Sequence, residues 1–121
     1  MTEFLIARIV LAVLLIGTGV LLLWLARATV SGRVRRNQVA GIRTPTTLAS
    51  DEAWLAAHRR AEGPTRAGGF ASILTGLGVL VPVEEWAVAV IIGVGSLVML
   101  GFVLYGAKVG TDAAREVGSP R

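Results

Sequence analysis

"IVLAVLLIGTGVLLLWLA", residues 9–26, contains no charged side chain. As a helix of 1.5 Å rise per residue it would run roughly 27 Å, close to the hydrocarbon thickness of a bilayer. Arg8 precedes it and can snorkel towards an interface, and Trp24 near its end suits the headgroup belt. "ARA" at 26–28 resembles a small-x-small cleavage site, but Glu3 and the length of the apolar run speak for a retained span.

Outward from this block the pattern repeats. "GGFASILTGLGVLVPV", 68–83, predicts a second span, and "WAVAVIIGVGSLVMLGFVLYGAK", 86–108, a third, with Trp86 and Tyr105 as interface anchors. Pro82, Glu84 and Glu85 predict a tight turn between them. The remainder, 109–121, reads as a mobile polar tail. Across the 121 residues, 54 % are hydrophobic and 17 % charged, too little polar surface for a soluble domain of this length. The expected fold is an all-α integral membrane protein in one domain. It has three transmembrane helices and a short cytoplasmic amphipathic helix between the first two.

The net charge of +4 is clustered rather than spread, which reads as topology and not as a nucleic-acid footprint. Arg27, Arg33, Arg35, Arg36, Arg43, Arg59, Arg60 and Arg66 all fall between the first and second spans. The second connection has two glutamates and no basic residue. The positive-inside rule then places the first connection and the C-terminus in the cytoplasm, and the N-terminus outside. Small residues at helical spacing (Gly69, Ser72 and Gly76; Ala89, Gly93 and Ser96; Gly106 and Gly110) predict close helix packing, within the chain or in a homo-oligomer.

The polar island at 33–63 has two parts. "RVRRNQVAGIRTPTTLA", 33–49, has turn-forming Gly41 and Pro45 and no helical period. "SDEAWLAAHRRAEG", 50–63, predicts an interfacial helix: Ser50 is an N-cap, Asp51 and Glu52 suit the positive end of the dipole, and Gly63 and Pro64 supply the stop. Trp54, Ala57, His58 and Ala61 share one face, with Trp54 as membrane anchor and His58 as a hydrogen-bonding residue one turn on. Asn37 can brace the turn through its side chain, and Thr44 before Pro45 holds Arg43 on a non-helical segment. The Arg43 guanidinium can hold the loop on the helix ends, meet lipid phosphate or recognise a partner.

Several chemistries are disfavoured. There is one histidine and no cysteine, so no metal set is expected. Ser50 and His58 lie about 12 Å apart along a helix, too far for a nucleophile and its base. Mid-span acids, lysines or histidines, which pumps and transporters need, are missing. No cofactor and no catalytic residue is expected.

The pattern N-x-x-x-G-I-R-T-P-x-T-L-x-S-x-x-x-W-x-x-x-H-R, formed by Asn37, Gly41, Ile42, Arg43, Thr44, Pro45, Thr47, Leu48, Ser50, Trp54, His58 and Arg59, resembles the signature of the SdpI-type toxin-immunity family. Many members carry tryptophan where this chain has Thr46. The resemblance implies a bacterial multi-pass membrane protein that protects against a secreted peptide toxin. It also implies a possible signalling role, with a transcriptional repressor held at the cytoplasmic face. The motif residues other than Thr47 are then the candidate partner or lipid contacts. The alternative, from the small-residue seams and the minimal soluble parts, is a small accessory subunit of a cell-envelope complex; a lipid-handling enzyme using Arg43 and His58 is a weaker third.

Overall fold

The computed structural model describes residues 2–118. Their secondary structure is entirely helical: α1 (Thr2–Ser31), α2 (Asp51–Val79), α3 (Glu85–Gly118) and a single 3-10 turn, Thr47–Ala49, in the α1–α2 connection. α1 and α3 are long and apolar enough to cross a membrane. Both are apolar around their circumference, and much of that surface is left uncovered: Val13 is 63 % exposed, Leu14 59 % and Leu97 70 %. A helix apolar on every side needs either a protein interior or lipid around it. Here the interior is not supplied, so a bilayer is the matching solvent.

The expected boundaries shift in three places. First, the interfacial helix does not stop at Gly63 and Pro64; α2 carries both inside one 29-residue helix. Proline inside a helix costs about 3 kcal/mol through its missing N–H and its clash with the preceding turn. Packing outweighs it: α3 lies along both halves of α2, with Gly106 facing Ala61 and Pro64 and Gly68 facing Met99 and Val103. Second, α2 ends at Val79, short of 83, with Leu80 as C-cap and the expected turn following. The 68–83 stretch does not qualify as a candidate span by length and hydropathy; α1 and α3 do. Third, the tail does not begin at 109. α3 continues to Gly118 because Ala114 packs with Ala53 and Ala57, and Gly110 sits against the Ala57 carbonyl. Residues 119–121 lie outside the described residues.

α2 is the middle element. α1 and α3 each pack on it, with no close backbone approach to one another. On the α1 side the contact is the small-residue seam Gly69, Ser72 and Gly76. A Cβ on Gly69 would lie 2.8 Å from the Gly19 carbonyl oxygen, one on Gly76 3.0 Å from that of Ala12, and the Ser72 hydroxyl donates to the Leu15 carbonyl at 2.6 Å. Backbones that close gain dispersion and polar contacts that lipid cannot match. On the α3 side the residues differ from expectation. Ala89 and Gly93 face outwards, and Gly95 instead receives the Thr75 side chain. The Gly106 and Gly110 step does face α2.

At the far end from the loop, Arg8 lies inside α1 rather than before it. Its guanidinium donates to the Val79 carbonyl at 2.9 Å and to that of Val81, closing the end of α2. Phe4 lies under the same guanidinium, 5.4 Å away.

Gly69→Val should lower the stability of the α1–α2 pair by about 1–3 kcal/mol, as overpacking of a close interface does. Gly93→Val, into open space, should leave it unchanged. Thermal unfolding in mild detergent compares the two; equal effects would contradict the seam.

Candidate functional site

The motif folds into a compact knot on the first two turns of α2. Past Ser31 the chain turns through Gly32 at φ +87°, and the Val34 N–H donates back to the Ala28 carbonyl at 3.0 Å. Asn37 then organises the loop by itself. Its Oδ1 accepts from the Val39 and Ala40 N–H groups, both at 2.7 Å, and its Nδ2 donates to the Arg35 and Ala40 carbonyls. One side chain thereby satisfies four backbone groups that no helix or sheet serves.

Gly41 brings the loop onto the helix. Its φ is +104°, a conformation L side chains rarely adopt, and a Cβ there would lie 2.6 Å from the Trp54 ring and 2.8 Å from His58 Nε2. The next residue makes the central contact: the Ile42 N–H donates to His58 Nε2 at 2.9 Å. Nε2 is therefore the unprotonated nitrogen. The proton sits on Nδ1, which donates to the Trp54 carbonyl at 2.7 Å. The two rings also touch, with centroids 4.1 Å apart.

Thr44 and Thr47 form the second half of the knot. Thr47, fully buried, donates from its hydroxyl to the Ile42 carbonyl at 2.7 Å and accepts from the Thr44 N–H at 2.9 Å. The Thr44 hydroxyl in turn accepts from the Thr47 N–H at 3.2 Å, and the Leu48 N–H donates to the Thr44 carbonyl at 2.9 Å. Pro45, exposed, occupies the bend between them. Ser50 caps α2 by accepting from the Ala53 N–H at 3.0 Å. Arg36 crosses this junction, donating to the Leu48 carbonyl at 3.1 Å and pairing with Asp51 at 3.3 Å.

Trp54 is not the membrane anchor the sequence suggested. It is 3 % exposed, closed in by the loop, and its indole N–H points at the Val34 carbonyl at 3.4 Å. Arg43 and Arg59 stay exposed; Arg43 donates to the Gln38 carbonyl at 2.7 Å. The motif residues thus divide. Asn37, Gly41, Ile42, Thr44, Leu48, Ser50, Trp54 and His58 build the knot, while Arg43, Pro45 and Arg59 face outwards. The residue passed over was Thr47, whose three-residue spacing from Thr44 was the available signal. Among the described residues no group of His, Asp and Glu could hold a metal ion.

Beneath the knot lies a crevice of about 220 Å³, with Leu22, Ala26, Ile42, Ala61 and Ala107 among its lining residues. His58 reaches its wall through a ring already bonded at both nitrogens.

The model of the SdpI/YfhL protein family matches residues 33–106, from the arginine run through the knot and most of α3. The chain belongs to this family. Neither the curated proteins nor the solved structures contain a match to it. For this SdpI-family chain, the matched region opens at Arg33, where the loop leaves α1, and takes in the whole knot as well as α2. The family is of the membrane type, consistent with the two exposed apolar helices.

Burial of His58 lowers its pKa below the ordinary 6.5, partly offset by the bond to the Trp54 carbonyl. The Ile42 N–H aimed at Nε2 opposes protonation as well. Well above 6.5 the imidazole is neutral both folded and unfolded. As pH falls below that value the unfolded chain takes up a proton before the folded one does, so stability must fall. Thermal unfolding followed from pH 7.5 to 5 should therefore show declining stability, and His58→Gln, removing the only histidine, should flatten the decline. A parallel slope in the variant would refute this assignment.

Proposed function

We propose that this protein is a non-enzymatic immunity factor of the SdpI type, protecting the cell that makes it from a secreted membrane-active peptide. The family match over residues 33–106 is the observation that supports this reading. In it the chain crosses the bacterial cell membrane three times. The N-terminus is outside, and the knot and the C-terminal end of α3 are cytoplasmic. The 68–79 part of α2 would be the middle crossing. It lies between α1 and α3 along its length, Gly69 against Leu23, Gly76 against Ile16 and Gly78 against Ile91, so it shares their depth. Their apolar outer faces would meet lipid on its behalf. The rigid knot would present Arg43, Pro45 and Arg59 to a cytoplasmic partner, a regulator of transcription in the signalling form of the role. The chemistry of the knot favours binding over catalysis, since its polar groups are spent on its own backbone.

Two measurements test this. The chain has no cysteine, so single cysteines report sidedness cleanly. Val39→Cys, at a residue 84 % exposed, should react with an impermeant thiol reagent only after cells are opened, and Glu84→Cys in intact cells. The reverse pattern would overturn the orientation. Deletion of the gene should sensitise cells to a co-produced peptide toxin, and the wild-type gene should restore resistance. Unchanged sensitivity to an active toxin would sink the immunity role.

A further inference from the structure

The crevice under the knot is not explained by immunity or by topology. It exists because α1 and α3 both pack on α2 without approaching each other, leaving a gap over the Ala61 and Thr65 stretch. α1 walls it with Leu22, Leu25 and Ala26, and α3 with Val103 and Ala107. Gly41 and Ile42 close the end nearest the loop.

Its chemistry selects its occupant. The lining is almost all carbon. The Thr29 hydroxyl is already given to the Leu25 carbonyl at 2.7 Å, and both nitrogens of His58 are engaged. Among the described residues no buried side-chain nitrogen or oxygen is left without a partner. A water needs two to four polar partners, and this site offers too few. At about 220 Å³ it exceeds the roughly 150 Å³ of an apolar cavity known to admit benzene. In a membrane its open side, between α1 and α3, would lie level with Trp24 and Tyr105, where the acyl chains begin.

We propose that this crevice binds one acyl chain of a bilayer phospholipid, entering between α1 and α3 from the leaflet on the knot side. The inference rests on the membrane reading and not on immunity. Ile42 makes occupancy consequential: it lines the crevice while its N–H holds His58. A chain in the crevice therefore presses on the contact that docks the loop.

Trp54 is the reporter, being buried and stacked on His58. The full chain carrying Trp24→Phe and Trp86→Phe is reconstituted in phosphatidylglycerol vesicles with increasing fractions of lipid brominated on one chain. Expected is quenching of Trp54 to less than half, saturating at a small fraction of brominated lipid, as filling of a site requires. Ala107→Phe and Val103→Phe, each narrowing the crevice from α3, should restore the emission. No quenching, or quenching that grows in simple proportion to brominated lipid, would overturn the site. So would undiminished quenching in a filled variant that keeps its helical circular dichroism. Recovery of the protein in the membrane fraction tests the underlying membrane reading separately.

Discussion

Close backbone approach on two sides of α2 is the constraint on which the other features hang. Glycines on α1 and α2 oppose each other at Gly19 and Gly69, while Gly95, Gly106 and Gly110 of α3 admit Thr75, Ala61 and Ala57 of α2. In lipid, apolar side chains do not prefer each other over their solvent, so helices associate where backbones and small side chains fit closely. The two seams lie on different faces of α2, and that keeps α1 and α3 apart. The gap between them is the crevice. The same packing explains why Pro64 does not end the helix: Gly106 makes room for its ring, and the contacts on either side hold the two halves of α2 as one rod.

The knot depends on this rod in turn. An imidazole that accepts from one peptide group and donates to another, four residues back on its own helix, acts as a rigid linker between loop and α2. Such a linker works only while the ring is neutral, and burial keeps it so. It also requires the loop to come within reach, which Gly41 permits by lacking a side chain where Trp54 and His58 converge. Asn37 and Thr47 then satisfy the backbone groups that the tight path leaves without helical partners.

The helical class, the two strongest apolar segments and the Ser50 cap were legible because they depend on local pattern: uninterrupted hydrophobicity and a hydroxyl before an acidic first turn. The α1-facing seam was legible too, although the same spacing at Ala89 and Gly93 marks no contact. Boundaries were not. Gly63–Pro64 is a strong local stop, and only tertiary contact with α3 overrides it. The helical course of 109–118 rests on Ala114 meeting Ala53 and Ala57, a contact that spans half the chain and leaves no local trace. Trp54 was misplaced for a similar reason. Amphipathic spacing indicates that a face is covered but not by what, and here the loop covers it instead of lipid.

The knot also bears on how the family sequence should be read. A motif rich in Arg, Thr, Ser, Trp and His invites assignment as a ligand site. Most of its hydrogen-bonding capacity, however, is spent holding its own loop, and the crevice below it is lined almost entirely by carbon. The motif region therefore presents two distinct surfaces. The outward one carries Arg43, Pro45 and Arg59 and can meet charge. The inward one meets only apolar matter, through Ile42. Thr46 precedes the 3-10 turn between these surfaces, and its backbone carbonyl accepts from the Ala49 N–H at 3.4 Å, a bond open to any residue there. The knot's internal bonding thus does not depend on the side chain at that position.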